Sequence, residues 1–253
     1  MKLTPAHATL LTSILEQPDA PRVVVIGAAA ILHHVPLKRF TDDLDLAIVA
    51  DERAVNELLA SANWERDQKA LQRWRAPDGN AIVDALPASP EIIEAGSVRL
   101  DGDDKEMSMV GFDLAIADTV ERTERGLTLE VATLPALVLL KIVAWLDRPH
   151  VRTKDLGDIG RMLDGALEEW DERRWDSPLA TLSHDVQSAF FLGGQLSAKL
   201  RELHRAKIDE FFALMHTESW CAVMAKEAGW VGADPESMAR RKLDAFRDGL
   251  SST

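Results

Sequence analysis

Hydrophobic and polar positions along this chain change their period once, near residue 132. Before it, apolar residues come in short β-branched or alternating runs. After it, they recur three and four positions apart, the period of helices. Residues 6–17 read as a helix on Leu10, Leu11, Ile14 and Leu15, ended by Pro18 and Pro21. Arg22-Val23-Val24-Val25-Ile26 is a continuous β-branched run, the pattern of a buried strand. Gly27 closes it, and Ala28-Ala29-Ala30-Ile31-Leu32 opens a helix. Asp43 to Val49 reads as a strand with an acidic start. Asp51 suits the N-cap of a helix over 52–62. Pro77-Asp78-Gly79-Asn80 is a turn between Leu71–Arg75 and Ala81–Leu86, which predicts a hairpin. Residues 88–126 read as loops around short strands, and Leu127–Val131 as a last strand. Helices are expected over 134–147, 154–168, 184–204, 206–228 and 236–249. The pattern predicts an α+β chain, with an α/β domain over 1–132 and a helical domain over 133–253.

The densest chemistry lies in Arg39-Phe40-Thr41-Asp42-Asp43-Leu44-Asp45-Leu46. In a strand, Asp43 and Asp45 face one way and Leu44 and Leu46 the other. Side-by-side carboxylates repel, and a divalent cation removes the repulsion. The plain alternative is a solvated, acidic strand end. Asp84 stands alone in the apolar run Ala81–Leu86. A buried carboxylate needs a partner. It is either a third ligand beside Asp43 and Asp45 or the partner of Arg39 or of a hairpin arginine. Gly27 and the small residues after it allow backbone N–H groups to approach an anion, or a helix to pack closely on its strand.

A second constellation begins in the helix over 134–147, which is apolar nearly all round apart from Lys141. A lysine there is aimed at an anion or snorkels outward. Asp155 and Asp158 follow, three apart and on one helix face, beside Arg152 and Lys154. The helix dipole favours carboxylates in a first turn and accounts for one of them.

Composition narrows the classes. The 253 residues are 46% hydrophobic, with a formal net charge of −13. That acidity disfavours broad, sequence-independent nucleic-acid binding, which depends on neutralising phosphates. One cysteine, Cys221, excludes an intrachain disulfide and a cysteine metal cage, and fits a reducing cytoplasm. No signal peptide is read at the start. No apolar run has the length of a membrane span.

Taken together, four segments resemble the nucleotidyltransferase superfamily, and within it the AbiEii/AbiGii toxin-like group. They are Gly27 after its strand, Arg39 to Leu46, Val83-Asp84-Ala85-Leu86-Pro87, and Leu140 to Arg148 followed by Lys154-Asp155-Leu156-Gly157-Asp158-Ile159. The resemblance spans roughly residues 20–165. It implies a polymerase-beta-like nucleotidyltransferase domain, a mixed sheet with flanking helices, followed by an all-helical C-terminal domain that contributes Lys141 and Asp155 to the cleft. It implies Mg²⁺ (or Mn²⁺) on Asp43, Asp45 and Asp84, with Asp84 also helping to deprotonate an acceptor hydroxyl. Lys141 would neutralise triphosphate charge, and Asp155 would orient Lys141 or bind base or ribose. Gly27, Ala28, Arg39, Thr41 and Asp158 would complete the nucleotide site. The implied partners are a nucleoside triphosphate, an RNA (tRNA) or protein acceptor and a cognate antitoxin, with no membrane.

One position departs from the pattern. Ala28 stands where the group has Ser or Gly, so a hydroxyl contact to triphosphate is lost while backbone N–H groups remain. That favours a second hypothesis, a nucleotide- or partner-binding module of the same fold. A third, a metal-dependent phosphohydrolase, lacks His-Asp pairs at ligand spacing: His33 and His34 are adjacent, and His150, His184 and His204 have no acidic partner at that spacing. The basic residues Lys199, Arg201, Arg205, Lys207 and Arg240-Arg241-Lys242 form either an RNA-facing surface or solvated helix faces.

Overall fold

The structure, a computed structural model, describes residues 3–37, 41, 43–100, 102, 106–217 and 219–252. The chain divides into two compact units, Met1–Ala30 with Phe40–Thr133, and Ile31–Arg39 with Leu134–Thr253.

The first unit begins with helix α1 (Pro5–Leu15), which Pro5 starts and Thr4 caps. Strand β1 (Val23–Ile26) is buried throughout and runs into the short helix α2 (Gly27–Ile31). Then come β2 (Asp43–Ile48), α3 (Glu52–Ser61), β3 (Glu65–Arg66), β4 (Arg73–Arg75) and β5 (Ile82–Pro87). Asp51 caps α3 as its position predicts, accepting the Ala54 N–H at 2.7 Å. The segment that the pattern left as loops holds α4 (Pro90–Ala95), β6 (Ser97–Val98), β7 (Met107–Ser108), α5 (Phe112–Ala117) and β8 (Thr119–Glu124). β9 (Leu127–Ala132) ends the unit.

Seven of these strands form one mixed sheet in the order β3-β4-β5-β2-β1-β9-β8, and β6 with β7 makes a separate pair. β2 lies in the middle. It is parallel to β5 and antiparallel to β1, and β1 is parallel to β9. Leu44 and Leu46 are buried, as are Val23 to Ile26 and Val83, so the central strands carry the core of this unit. β8 is an edge strand of mostly polar residues, TVERTE, paired only with β9 in the sheet order. With no apolar alternation it carries no pattern to read.

In the second unit, α6 (Leu134–Asp147) and α7 (Thr153–Gly165) precede α8 (His184–Ser197), α9 (Glu202–Met215), α10 (Trp220–Ala228) and α11 (Pro235–Ser251). Two expected helices need correction. The one over 184–204 ends at Ser197, and the one over 206–228 is two helices, α9 and α10. α9 starts earlier because His204 Nδ1 accepts the Arg201 backbone N–H at 3.3 Å. Histidine is not among the usual capping residues, so that boundary carries no signal in the sequence.

α6 is the pillar of the unit. Trp145 is fully buried and meets Phe211 and Trp220 edge-on, with ring centroids 5.5 and 5.2 Å apart. α8 and α11 cross at glycines. A Cβ on Gly193 would lie 2.2 Å from the Phe246 carbonyl oxygen, and one on Gly249 would lie 2.1 Å from that of Phe190. Gly249→Ala must push the two backbones apart. The expected loss is about 1–3 kcal/mol, the usual cost of overpacking, read as a lower urea midpoint with an unchanged slope.

Candidate functional site

The register of the central strands sets the first cluster. Asp45 on β2 pairs with Asp84 on the parallel strand β5, and Asp84 pairs with Arg73 on the antiparallel strand β4. Paired residues on neighbouring strands point to the same face, so Arg73, Asp84 and Asp45 form a row across three strands. Asp43, two residues before Asp45, shares their face. Leu44 and Leu46 point the other way, into the core.

Arg73 ties the face together. Its Nε donates to Asp84 Oδ1 at 2.8 Å, and its second terminal nitrogen donates to Asp84 Oδ2 at 2.8 Å and to Asp43 Oδ2 at 3.0 Å. This is the two-pronged geometry that a guanidinium and a carboxylate favour. Thr41 Oγ1 donates to the other Asp43 oxygen at 2.6 Å. The hydrogen bond to Asp84 raises the Arg73 pKa against a smaller opposing effect of burial, and Asp43 and Asp45 add to the rise. Asp84 is only 9% exposed, so an internal cation meets its need for compensation. The hairpin arginine is the partner the sequence left open as the alternative to a metal. Of the two β4 arginines that share its face, register selects Arg73 and sends Arg75 to Asp67 at 3.0 Å.

Asp45 is held from the other side by the end of β1. Ile26 pairs with Asp45. The next residue, Gly27, has φ +67°, and a Cβ there would lie 2.0 Å from Asp45 Oδ2. The glycine therefore gives the carboxylate its room as well as turning the chain. Ala28, behind it, is buried. Arg39 and Asp42 lie outside the described residues.

The donor set of this face is oxygen alone, which is what Mg²⁺ or Mn²⁺ takes. In the arrangement described, however, the carboxylates are gathered around a guanidinium. Among the described residues no three His, Cys, Asp or Glu side chains converge as a cage. The chemistry of the donors suits a divalent ion, and Arg73 holds the oxygens that such an ion needs.

The second cluster lies in the helical unit. Lys141 on α6 is 8% exposed, and its Nζ reaches Asp155 Oδ1 at 2.7 Å and Asp158 Oδ2 at 2.8 Å, both on α7. Arg152 Nε adds a bond to Asp155 Oδ2 at 2.5 Å. Lys141 thus neither snorkels nor faces a bare apolar wall. Burial pushes its pKa down, but Asp155 and Asp158 outweigh burial and leave it raised. Burial pushes Asp155 up, and Lys141 with Arg152 outweigh that and leave it lowered. The i, i+3 spacing of the two aspartates puts both on the face turned to Lys141.

Two predictions follow from this geometry. Gly27→Ala forces an L-residue into the left-handed region and a methyl into the Asp45 carboxylate, at a cost of about 1–3 kcal/mol in urea unfolding. Lys141→Met leaves Asp155 and Asp158 buried without their shared cation, at a cost of about 3–5 kcal/mol near pH 7. In the intact protein, the lowered Asp155 pKa gives stability that is present above the unfolded value and lost as pH falls. In the variant, Lys141 no longer offsets the burial of Asp155, so the folded state takes up a proton there more readily. The gap between the two proteins should therefore narrow as the pH falls from 7 towards 4, read from urea midpoints across that range.

The family model "Nucleotidyl transferase AbiEii toxin, Type IV TA system" matches residues 9–246. No curated protein matches closely enough to count as a relative. Among solved structures, the chain is similar to an antigenic nucleotidyltransferase-like protein from Paracoccidioides brasiliensis, at 17% identity and TM-score 0.42, over 80% of this chain and 91% of that one. It is also similar to the antibiotic-resistance factor ANT(2'')-Ia, at 14% identity and TM-score 0.40, over 85% of this chain and 100% of that one. With nearly its whole length matched by the family model, the chain belongs to the AbiEii nucleotidyl transferase toxin family.

Proposed function

We propose that this chain moves a nucleoside monophosphate from a nucleoside triphosphate to a hydroxyl of an RNA or protein acceptor, in a Mg²⁺-dependent reaction on the sheet face of Asp43, Asp45 and Asp84. The observation that carries the reading is the register, which brings carboxylates from two adjacent central strands onto one face. Family membership supports the class of reaction. In the transfer, the acceptor oxygen forms a bond to the α-phosphorus, the bond from that phosphorus to the β-bridging oxygen breaks, and pyrophosphate leaves. Asp43, Asp45 and Asp84 would hold the ion, which when bound supplies Lewis acidity at the phosphate oxygens and the acceptor hydroxyl.

The chain's own residues supply position and a proton acceptor. Asp84, once released by Arg73, takes the hydroxyl proton as the new bond forms. Thr41 fixes one oxygen of Asp43, and Gly27 gives Asp45 its room. Backbone N–H groups at Gly27 and Ala28 contact phosphate in this reading, with Arg39 and Asp158 completing nucleotide recognition. The family resemblance assigns Lys141, which Asp155 and Asp158 hold, to the charge developing on the triphosphate. No covalent intermediate on the protein is needed, because the work is positioning and electrostatics. The family description extends the reading to a toxin neutralised by a cognate antitoxin. No helix among the described residues is long and apolar enough to cross a membrane.

A second reading, a nucleotide- or partner-binding module, draws on Ala28 and on the engagement of Asp84 by Arg73. One experiment separates the two. The protein is incubated with Mg²⁺, each of the four α-labelled ribonucleoside triphosphates, and total RNA and protein, beside Asp45→Asn. Label reaching RNA or protein, with pyrophosphate released and transfer at least about a hundredfold lower in the variant, is the result expected. No label and no pyrophosphate, with Mg²⁺ and nucleotide still raising the melting temperature, would select the binding module.

A further inference from the structure

We propose that Arg73 is an internal counter-cation that competes with a divalent metal for the carboxylate face and weakens its binding there. The proposal rests on the nucleotidyltransferase reading and adds to it a residue that sets how tightly the face takes metal.

The geometry carries the argument. One guanidinium engages both oxygens of Asp84 and one of Asp43 within 3.0 Å. Each of these oxygens keeps a second lone pair, but Mg²⁺ at about 2.0–2.1 Å would sit beside N–H donors and a positive charge already aimed at the same oxygens. Two cations of combined charge +3 at one small face also repel each other. Arg73 therefore competes with a metal for this face.

Its location lets it give way. β4 is three residues long and lies beside the two-residue strand β3, which ends the sheet. The Arg73 side chain is 29% exposed, so its head reaches water by rotation about its own flexible stem. Asp84, at 12% side-chain exposure, does not have that freedom. The moving partner is the arginine.

The device has a consequence for the order of binding. A bare metal ion must replace an attraction already satisfied, so the protein alone takes it weakly. An ion arriving with a triphosphate brings anionic oxygens of its own, and these give the displaced guanidinium a new partner. Arg73 thereby favours metal–nucleotide over metal alone.

The test is a Mn²⁺ titration followed by the electron paramagnetic resonance signal of the free ion. Four proteins are compared: wild type, Arg73→Gln, Arg73→Lys and Arg73→Gln combined with Asp45→Asn. The expected result is Mn²⁺ binding about tenfold or more tighter in Arg73→Gln than in wild type, as set by the loss of charge-assisted hydrogen bonds that compete for the same oxygens. Arg73→Lys, which keeps the charge but not the fork, should fall between the two. The double variant should lose the gain, which assigns it to this face. Equal affinity in wild type and Arg73→Gln overturns the proposal and leaves the metal reading standing. Absence of Mn²⁺ binding in every protein overturns both. If Arg73→Gln fails to fold, wild type and Arg73→Lys decide: the Arg73 Nε–Hε resonance of wild type, assigned by its disappearance in Arg73→Lys, should move and lose its exchange protection as Mg²⁺ is added. A resonance that stays fixed while Mn²⁺ binds overturns the proposal.

Discussion

Three carboxylates on neighbouring strands of one sheet face cannot stand without a cation, and the first unit is arranged around that requirement. The sheet imposes the crowding. β2 is central and parallel to β5, so the register that buries Leu44, Leu46 and Val83 also brings Asp45 level with Asp84. Neither aspartate can be moved away without turning the apolar residues of its strand out of the core. Packing therefore fixes a repulsive arrangement, and an electrostatic partner has to offset it. In the chain by itself that partner is Arg73, brought level with Asp84 by the hairpin.

The helical unit meets the same problem under drier conditions. Lys141 with Asp155 and Asp158 is a cation between two carboxylates, as Arg73 is between Asp84 and Asp43. The difference lies in access to water. Lys141 is 8% exposed and sits on a fourteen-residue helix buried along most of its length, whereas Arg73 sits on a three-residue strand. A buried pair holds its partners because each alternative leaves a charge in the protein interior. Arg73, at 29% side-chain exposure, lies nearer to water, while its partner Asp84 stays buried. The cation of the helical cluster is the more deeply buried of the two.

Much of this was legible in the sequence, for reasons that also explain the gaps. Strand alternation alone puts Asp43 and Asp45 on one face, because the period of two admits no other arrangement. The lone Asp84 in an apolar strand announces a buried carboxylate in need of a partner. What a linear pattern cannot supply is the offset between strands. Arg73 and Arg75 are equivalent by alternation, and only the β4–β5 register selects Arg73 for Asp84. Likewise Lys141 reads as a misplaced charge until α7 supplies Asp155 and Asp158. The elements missed were the six-residue helices α4 and α5, too short to show a helical period, the polar edge strand β8, and the start of α9, which a histidine caps. Tertiary pairing decides such elements, and composition does not.

Ala28 and Gly27 bear on function in opposite ways, and the structure clarifies how far each reaches. Ala28 is buried behind the turn and carries no hydroxyl. The missing side chain at residue 27 is a condition of the sheet's own geometry, since any Cβ there collides with Asp45. A module that only recruits a partner has no physical need to keep a carboxylate so tightly seated that its neighbour must be glycine at a positive φ. A metal ligand does, because an ion of this kind tolerates little error in the position of its oxygens. Gly27 is thus required by the Asp45 carboxylate beside it.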